Sequence, residues 1–203
     1  MNFQTINTDY RLILASESPR RKSLLRQVGL PFHAVSSQVK EDHVKGKPSI
    51  KASRLAEIKA RAVYPEFNNN WILGADTIVV VDEKILGKPR DHHDAESMLY
   101  LIRGKEHEVI TGFCLLNPTG DVVQAEAITT LVKIKWLAAE EIKAYIATGE
   151  PFGKAGSYAI QGIGAFMVES ISGSYTNVVG LPVCAVIKSL LAAGALKDFP
   201  TPQ

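Results

Sequence analysis

The chain has 203 residues, of which 46% are hydrophobic and 22% are charged, and its formal net charge is +2. That length fits one large domain or two small lobes, and the low net charge argues against a nucleic-acid binder driven by overall charge, but not against a local basic pocket. The apolar run at 12–15 is too short for a signal peptide, and no run is long enough for a membrane span, so we expect a cytoplasmic protein with no nucleic-acid or membrane partner.

The elements predicted in chain order alternate between strands and helices. Strands are expected at 12–15, from 33 onward, over 71–89 as a hairpin that turns near 82–83, and over 107–135 as a hairpin that turns at 117–120. Helices are expected over 18–29, 49–64, 91–104 and 138–148, with a last one that opens at Pro182, after a glycine-rich stretch from 149 to 180. Inserted hairpins among alternating helices and strands predict an α/β fold with a mixed sheet. Cys114 and Cys184 lie in apolar runs and are expected to be buried free thiols.

The first helix starts with an unusual charge pattern in the segment ASESPRR, residues 15–21. Ser18 and Pro19 predict a helix start with a side-chain oxygen at the N-cap. Arg20 and Arg21 follow, although the helix dipole favours negative charge in this turn. Backbone N–H groups and two guanidinium groups together would bind a polyphosphate. The alternative is that both arginines point to solvent and pair with distant acids.

Lys59 falls on the apolar face of the second predicted helix, SIKASRLAEIKARAVY. A lysine at such a position either extends its ammonium group to solvent or reaches a buried anionic partner. The pattern therefore leaves two hypotheses open, a solvent-reaching lysine and a cation at the floor of a phosphate pocket.

Asp76 interrupts an otherwise apolar run, WILGADTIVVV, that is expected to be buried. A buried carboxylate has to be paired, bound to a metal or hydrogen-bonded, because burial alone costs several kcal/mol. Gly74 is expected to kink the strand and to permit an unusual backbone or the close approach of a ligand. A structural salt bridge is the alternative role for Asp76, and Lys88, just past the hairpin, is a candidate for the same site.

Glu41 and Asp42 lie in the polar loop before the second helix. Most loop acids are solvated, but a magnesium-dependent phosphate enzyme needs one or two carboxylates to hold its ion. Two further motifs are rejected as nucleotide signatures. GEPFGKA has the wrong glycine spacing for a phosphate-binding loop, and GIGAFM lacks the third glycine of a dinucleotide fingerprint.

Several segments in order resemble the Maf family of nucleoside triphosphate pyrophosphatases, over about residues 12–191. They are ASESPRR, LAEIKA, GADTIVVVDEKILGKPRD and GKAGSYAIQGIGAFMVESISGSYTNVVGLP. The resemblance implies one domain over 1–203 made of two lobes around an elongated mixed sheet flanked by helices, with the nucleotide in a central cleft. It also implies cleavage between the α- and β-phosphates with a divalent cation, Mg²⁺ or Mn²⁺, and a possible homodimer.

The resemblance also assigns roles to individual residues. Asp76 matches the family's catalytic aspartate, which accepts a proton from water, and whether it acts mainly as a base or as a metal ligand stays open. Glu41 matches an acid that helps to hold the metal. The polar positions that face the phosphates are matched by Ser16, Arg20, Arg21, Lys59 and Lys88.

Substrate choice is implied by three positions at which the family's subgroups differ. This sequence has Arg20, Thr77 and Gln161, as in the subgroup that resembles dTTP/UTP pyrophosphatases, whereas the subgroup acting on 7-methylguanosine triphosphate has tryptophan, glutamine and glutamate there. A neutral amide can donate to and accept from the edge of uracil or thymine. Modified pyrimidine triphosphates and a preference for 7-methyl-GTP stay open as alternatives. A nucleotide-sensing regulator of cell division with incidental hydrolysis is the competing functional class.

Overall fold

The computed structural model of the chain describes residues 3–39, 44 and 46–200. The strands are β1 (Leu12–Leu14), β2 (Phe32–Ala34), β3 (Ile72–Val81), β4 (Lys84–Leu86), β5 (Glu106–Leu116), β6 (Val122–Ile134) and β7 (Val168–Ser172). The helices are α1 (Pro19–Gln27), α2 (Pro48–Val63), α3 (His92–Ile102), α4 (Ala139–Ala147), α5 (Tyr175–Val179) and α6 (Val183–Ala192). Short 3-10 turns occupy Tyr64–Glu66, Ala155–Ser157 and Ile163–Met167.

The seven strands form one mixed sheet in the order β2-β1-β3-β5-β6-β7, with β4 paired to β3. β1 runs parallel to β2 and to β3, whereas β4 and β7 are antiparallel to their partners. The prediction of an α/β fold with a mixed sheet is therefore confirmed. The chain divides into a first unit (1–76, 111–128 and 180–203) and a second unit (77–110 and 129–179). The arrangement of one domain with a central cleft stays a prediction.

The core of the first unit forms where helix α2 packs on strands β1, β3 and β5. Its buried members are mainly small or branched: Ile13, Ala15, Ala56, Ala60, Val63, Ile72, Cys114 and Leu116. Burial raises the pKa of the Cys114 thiol to about 12, with a further contribution from the charge of Glu57. This cysteine is a buried free thiol as predicted, but Cys184 is exposed on α6, so the prediction for Cys184 is wrong. Residues at the start of an amphipathic helix can alternate between the buried and exposed faces within an apolar run.

The core of the second unit is built around helices α3 and α4. Side chains from both helices pack against strand residues of the second unit. The helix residues include Leu99, Ile102, Ile142 and Tyr145, and the strand residues include Val132 and Ile134 of β6. Asp91 caps α3, since its side chain accepts a hydrogen bond from the Asp94 amide at 2.8 Å. That cap and the hairpin turn at Asp82 and Glu83, both with positive φ, agree with the sequence predictions.

The glycine-rich stretch contains elements that the sequence pattern did not predict. Strand β7 and the short helix α5 lie within it, together with two of the 3-10 turns. β7 pairs antiparallel with β6, from Leu131 opposite Ser172 to Ile134 opposite Val168. The sequence pattern did not predict β7 because most of its side chains are polar or exposed and give no apolar alternation. None of the described helices is long and apolar enough to cross a membrane.

His107, on β5 in the second unit, should make stability depend on pH. The ring is only 3% exposed, its Nε2 is 2.8 Å from the Tyr158 hydroxyl oxygen, and burial lowers its pKa to about 4. The folded protein keeps this ring neutral, whereas the unfolded chain protonates it below pH 6.5, so the stability is fully present above pH 6.5 and is lost as pH falls toward 4. We expect the free energy of unfolding to fall by about 2 kcal/mol between pH 7 and pH 5 from this group alone.

Chemical denaturation of His107→Gln at the two pH values measures this contribution. The variant should show a correspondingly flatter dependence on pH, whatever its absolute stability. His93→Gln, which replaces an exposed histidine on α3, is the matched control and should keep the wild-type dependence. Equal pH dependence in all three proteins would contradict the prediction.

Candidate active site

The turn between β1 and α1 holds a buried arginine through two oxygen acceptors. Arg21 donates from Nε to the carbonyl oxygen of Gly180 at 2.7 Å and from Nη1 to Oγ of Ser16 at 3.0 Å. Ser16 Oγ also accepts a hydrogen bond from the Ser18 amide at 3.3 Å. These two oxygens therefore fix the direction of the guanidinium group.

The position predicted for the start of the first helix is confirmed, but the predicted capping hydrogen bond of Ser18 is absent. α1 begins at Pro19, yet the Ser18 side chain makes no capping hydrogen bond, and no acidic residue lies in the first turn. The Ser18 amide is instead bonded to Ser16, whose hydroxyl takes the organising role that the N-cap pattern assigned to Ser18. A serine before Pro at a helix start favours this position, but the pattern does not decide which of two nearby hydroxyls makes the contact.

Arg20 is the second cation of this turn. It is half-buried, and burial lowers the pKa of its guanidinium from the ordinary value. It nevertheless keeps its charge at neutral pH. Among the residues that the structure describes, no carboxylate forms an ion pair with it. A partly desolvated cation next to a helix N-terminus suits an anionic ligand, and the anion site and the solvent-paired alternative both stay predictions.

Lys59 and Asp76 form a buried ion pair. Nζ of Lys59, on α2, lies 2.5 Å from Oδ1 of Asp76, on β3, and the two residues are 9% and 6% exposed. The structure thus answers the question left open for Lys59, because the side chain reaches a buried anion and does not extend to solvent. The structural salt bridge considered for Asp76 is also present. A buried ion pair of this kind often adds little to the free energy of unfolding. A chemical role for the pair therefore has to be considered.

Two glycines set the position of Lys59. A Cβ on Gly74, in β3, would lie 2.0 Å from the carbonyl oxygen of Ala56, and one on Gly112, in β5, would lie 2.3 Å from that of Ala52. Both contacts are with the backbone of α2, so the helix lies directly on the strands. The prediction for Gly74 was the close approach of a ligand, but the close neighbour is the helix that carries Lys59, and β3 continues through this residue.

The β1–α1 turn follows the end of β1, whereas Asp76 of the ion pair lies within the neighbouring strand β3. Leu14 of β1 is paired with Leu73 of β3, and the amide of Ala15 donates to the Leu73 carbonyl oxygen at 2.9 Å. Ser16 follows within two residues of Leu14, and Asp76 follows shortly after Leu73. Ends of adjacent parallel strands that carry polar groups are the usual place for ligands in α/β sheets. The Asp76–Lys59 pair and the turn that carries Arg20 and Arg21 both belong to the first unit.

The roles predicted for the site residues are not tested by this geometry, and several of these residues lie elsewhere in the chain. Thr77, Lys88 and Gln161 belong to the second unit, where Lys88 is exposed and Thr77 and Gln161 are half-buried. Glu41 lies outside the described residues. Within the described part of the chain, no group of three or more His, Cys, Asp or Glu side chains could hold a metal ion. The assignments of these residues, and the expected homodimer, stay predictions.

Gly180 is the participant that sequence reasoning missed. Its contribution is a backbone carbonyl that orients Arg21, and every residue has such a carbonyl, so composition and spacing give no signal for it. The usable signal is the conformation, since Gly180 has φ of +125°, which glycine adopts readily and other residues do not. A glycine directly before the Leu-Pro that precedes α6 was therefore the only feature of the sequence that could indicate an unusual backbone at this position.

Comparison with known proteins identifies the family. Residues 11–193 match the family described as Maf-like protein. The chain belongs to this family. The resemblance noted in the sequence is thereby confirmed over most of its length.

Relatives of this Maf-like chain carry one name. A protein of Syntrophotalea carbinolica, named dTTP/UTP pyrophosphatase, is 51% identical over 94% of this chain and 88% of its own length. One of Ruminiclostridium cellulolyticum with the same name is 52% identical over 85% of this chain and 90% of its own length. Among solved structures, a nucleoside-triphosphatase / dITP/XTP pyrophosphatase from Mycobacterium abscessus is 15% identical and covers 90% of this chain and 93% of its own, with a TM-score of 0.42.

Proposed function

We propose that this Maf-like protein hydrolyses dTTP and UTP to the nucleoside monophosphate and pyrophosphate. The observation that carries the proposal is the buried Asp76–Lys59 pair, which belongs to the same unit as the arginine turn of Ser16 and Arg21. The names of relatives that share half of their residues with this chain support the choice of reaction and of substrates.

The cations of the first unit suit a triphosphate. Arg21 is held by Ser16 and Gly180, so its guanidinium group has a fixed direction before a ligand arrives. Guanidinium groups bind phosphate oxygens through paired hydrogen bonds, and a preorganised cation stabilises developing charge without reorganisation at the moment of reaction. We assign Arg20 and Arg21 to the triphosphate and to the pyrophosphate that leaves.

Asp76 is assigned the activation of water. Lys59 donates to Oδ1 and places a positive charge directly beside the carboxylate. We assign acceptance of the proton to Oδ2, which lets the resulting hydroxide attack a phosphorus atom. The phosphoanhydride bond then breaks, and the electron pair leaves with the pyrophosphate oxygen. Lys59 thereby has a chemical role that accounts for keeping a costly buried pair.

A divalent cation fits this donor set. Magnesium takes one or two protein carboxylates and fills its remaining positions with waters and substrate phosphates, so the carboxylate of Asp76 would hold such an ion as the alternative to accepting the proton of water. Glu41 is the second candidate by family resemblance. When bound, such an ion neutralises charge on the triphosphate oxygens. We propose Mg²⁺ or Mn²⁺ for this role.

The pyrimidine preference is assigned to Arg20, Thr77 and Gln161, the residues that match the dTTP/UTP subgroup. The amide of Gln161 can accept from N3–H and donate to O4 of uracil or thymine. A base that lacks this edge leaves the amide unpaired, so its kcat/KM is expected to be lower by orders of magnitude.

A panel of triphosphates tests the proposed function. Pyrophosphate release from dTTP, UTP, 5-methyl-UTP, CTP, GTP and 7-methyl-GTP should be measured with Mg²⁺ and then with Mn²⁺. We expect kcat/KM for dTTP and UTP to exceed that for GTP by roughly 100-fold or more, as expected for a hydrogen-bonding site that discriminates between base edges. A higher value for 7-methyl-GTP would contradict the pyrimidine assignment, and binding of nucleotides without turnover would favour the regulator.

A further inference from the structure

The side chain of Glu150 is bonded to the backbone just after Gln161. Its Oε1 accepts a hydrogen bond from the Ile163 amide at 3.0 Å and its Oε2 accepts one from the Gly164 amide at 2.7 Å. All of these residues lie in the second unit. A carboxylate bonded to two consecutive amides fixes the direction of the chain at that point, because both of its oxygens are used.

The glycines of this segment let the chain close around the carboxylate. Gly162 has φ of +79°, and a Cβ there would lie 2.2 Å from Oε1 of Glu150. A Cβ on Gly164 would lie 2.5 Å from the Ala159 carbonyl oxygen. A side chain at position 162 would therefore displace the Glu150 carboxylate, and one at position 164 would clash with the backbone of Ala159, so glycine at both positions permits this arrangement.

Glu150 is itself held in place. Its amide donates to Oγ1 of Thr148 at 3.1 Å, and its carbonyl oxygen accepts a hydrogen bond from Nζ of Lys154. Burial would raise the pKa of the carboxyl, but the hydrogen bonds, that from Gly164 foremost, outweigh it and lower the pKa. The group is therefore an ionised acceptor at neutral pH, with its backbone fixed at one side and the 162–164 segment fixed at the other.

We propose that Glu150 is a positioning residue for base recognition, which holds Gln161 in the direction needed to read the pyrimidine. Gln161 is half-buried, and only Gly162 separates it from Ile163, the first residue whose amide donates to Glu150. The inference rests on the proposed function, in which Gln161 contacts the base. It also explains two motifs that are not nucleotide signatures. GEPFGKA supplies the carboxylate and GIGAFM supplies the amides.

Kinetics of Glu150→Gln test the inference. The variant keeps the size of the side chain but can accept only one of the two amide hydrogen bonds, since its NH₂ group is a donor. We expect KM for UTP and dTTP to rise about 10-fold, kcat to change less than about threefold, and the preference for UTP over GTP to fall about 10-fold. Inhibition by inorganic tripolyphosphate, which lacks a base, should keep its inhibition constant.

Two other variants make the outcome specific. Gln161→Ala should lower the same preference, and combining it with Glu150→Gln should add little, because both changes remove one interaction. Glu141→Gln is the matched control, since Glu141 also accepts from a backbone amide, that of Ala138 at 2.9 Å, and pairs with Lys135. It should leave the preference and both kinetic constants unchanged. Glu150→Asp, with a shorter arm, replaces Glu150→Gln should that variant fail to fold.

The results separate the inference from the function on which it rests. A wild-type protein that does not release pyrophosphate from UTP or dTTP would overturn the proposed function. A Gln161→Ala variant with unchanged preference would overturn the role of Gln161 and the inference with it. A changed preference in Gln161→Ala, together with an unchanged one in Glu150→Gln and Glu150→Asp, would overturn the inference alone. A proportional loss for tripolyphosphate and for every nucleotide would show a merely structural role and also overturn it.

Discussion

Replacing Asp76 by Asn is expected to abolish hydrolysis while the chain still folds. The amide has the size of the carboxylate but cannot accept the proton of water, and loss of a general base lowers the rate by about 10²–10⁴-fold. The same change leaves the buried ammonium group of Lys59 without its counter-charge, which is expected to lower the free energy of unfolding by about 3–5 kcal/mol. Pyrophosphate release and chemical denaturation measure the two effects separately.

A double variant distinguishes the chemical loss from the loss of stability. Asp76→Asn combined with Lys59→Met removes both charges of the buried pair, so most of the lost stability should return because no uncompensated buried charge remains. Activity should not return. Asp82→Asn is the matched control, since Asp82 pairs with Lys105 at 2.6 Å on the surface. Breaking that exposed pair should change stability by less than about 0.5 kcal/mol and leave hydrolysis unchanged.

Recovery of both stability and turnover in the double variant would contradict the assignment of Asp76. It would mean that the inactivity of Asp76→Asn came from a disturbed fold and that the carboxylate takes no part in the reaction. Near-normal turnover in Asp76→Asn itself would contradict the assignment directly. Either outcome would leave the buried pair with a structural role only.

The sequence identified the charged members of the candidate site but not the groups that hold them. Lys59 and Asp76 stood out because each places a charge in an apolar pattern, and a buried charge needs a partner. The pattern could not tell that they are each other's partner, since helix and strand are separated in the chain and their contact depends on how closely they pack. Likewise, the orientation of Arg21 depends on the Gly180 carbonyl, and a backbone carbonyl carries no signature in the sequence.

The fold was predictable where apolar periodicity is strong and not where glycine interrupts it. Strand β3 and helix α2 follow from continuous apolar runs or a single apolar face. Between 149 and 180 the chain turns repeatedly, with positive φ at Gly149, Gly153, Gly156, Gly162 and Gly173. Elements there are short and are stabilised by specific contacts, such as those of Glu150, which no pattern of hydrophobicity describes.

Gly112→Ala is expected to lower both stability and activity although residue 112 carries no chemistry. A Cβ at this position would lie 2.3 Å from the carbonyl carbon and oxygen of Ala52 and 2.4 Å from the Ser53 amide nitrogen. All three atoms are backbone, so no side-chain rotation can relieve the contact and helix α2 has to shift. Overpacking of this kind costs about 1–3 kcal/mol or more, and the shift would carry Lys59 away from Asp76.

Gly87→Ala is the matched control for this effect, because a Cβ on Gly87 meets nothing within 4 Å and its φ lies outside the left-handed region. It should leave the free energy of unfolding within about 0.5 kcal/mol of the wild type. If Gly112→Ala were as stable and as active as Gly87→Ala, the helix would tolerate displacement from the sheet. The short contact between Lys59 and Asp76 could then not depend on the close approach of α2 to the strands. Measuring both unfolding and pyrophosphate release in the two variants therefore tests whether packing at the glycines sets the geometry of the reacting carboxylate.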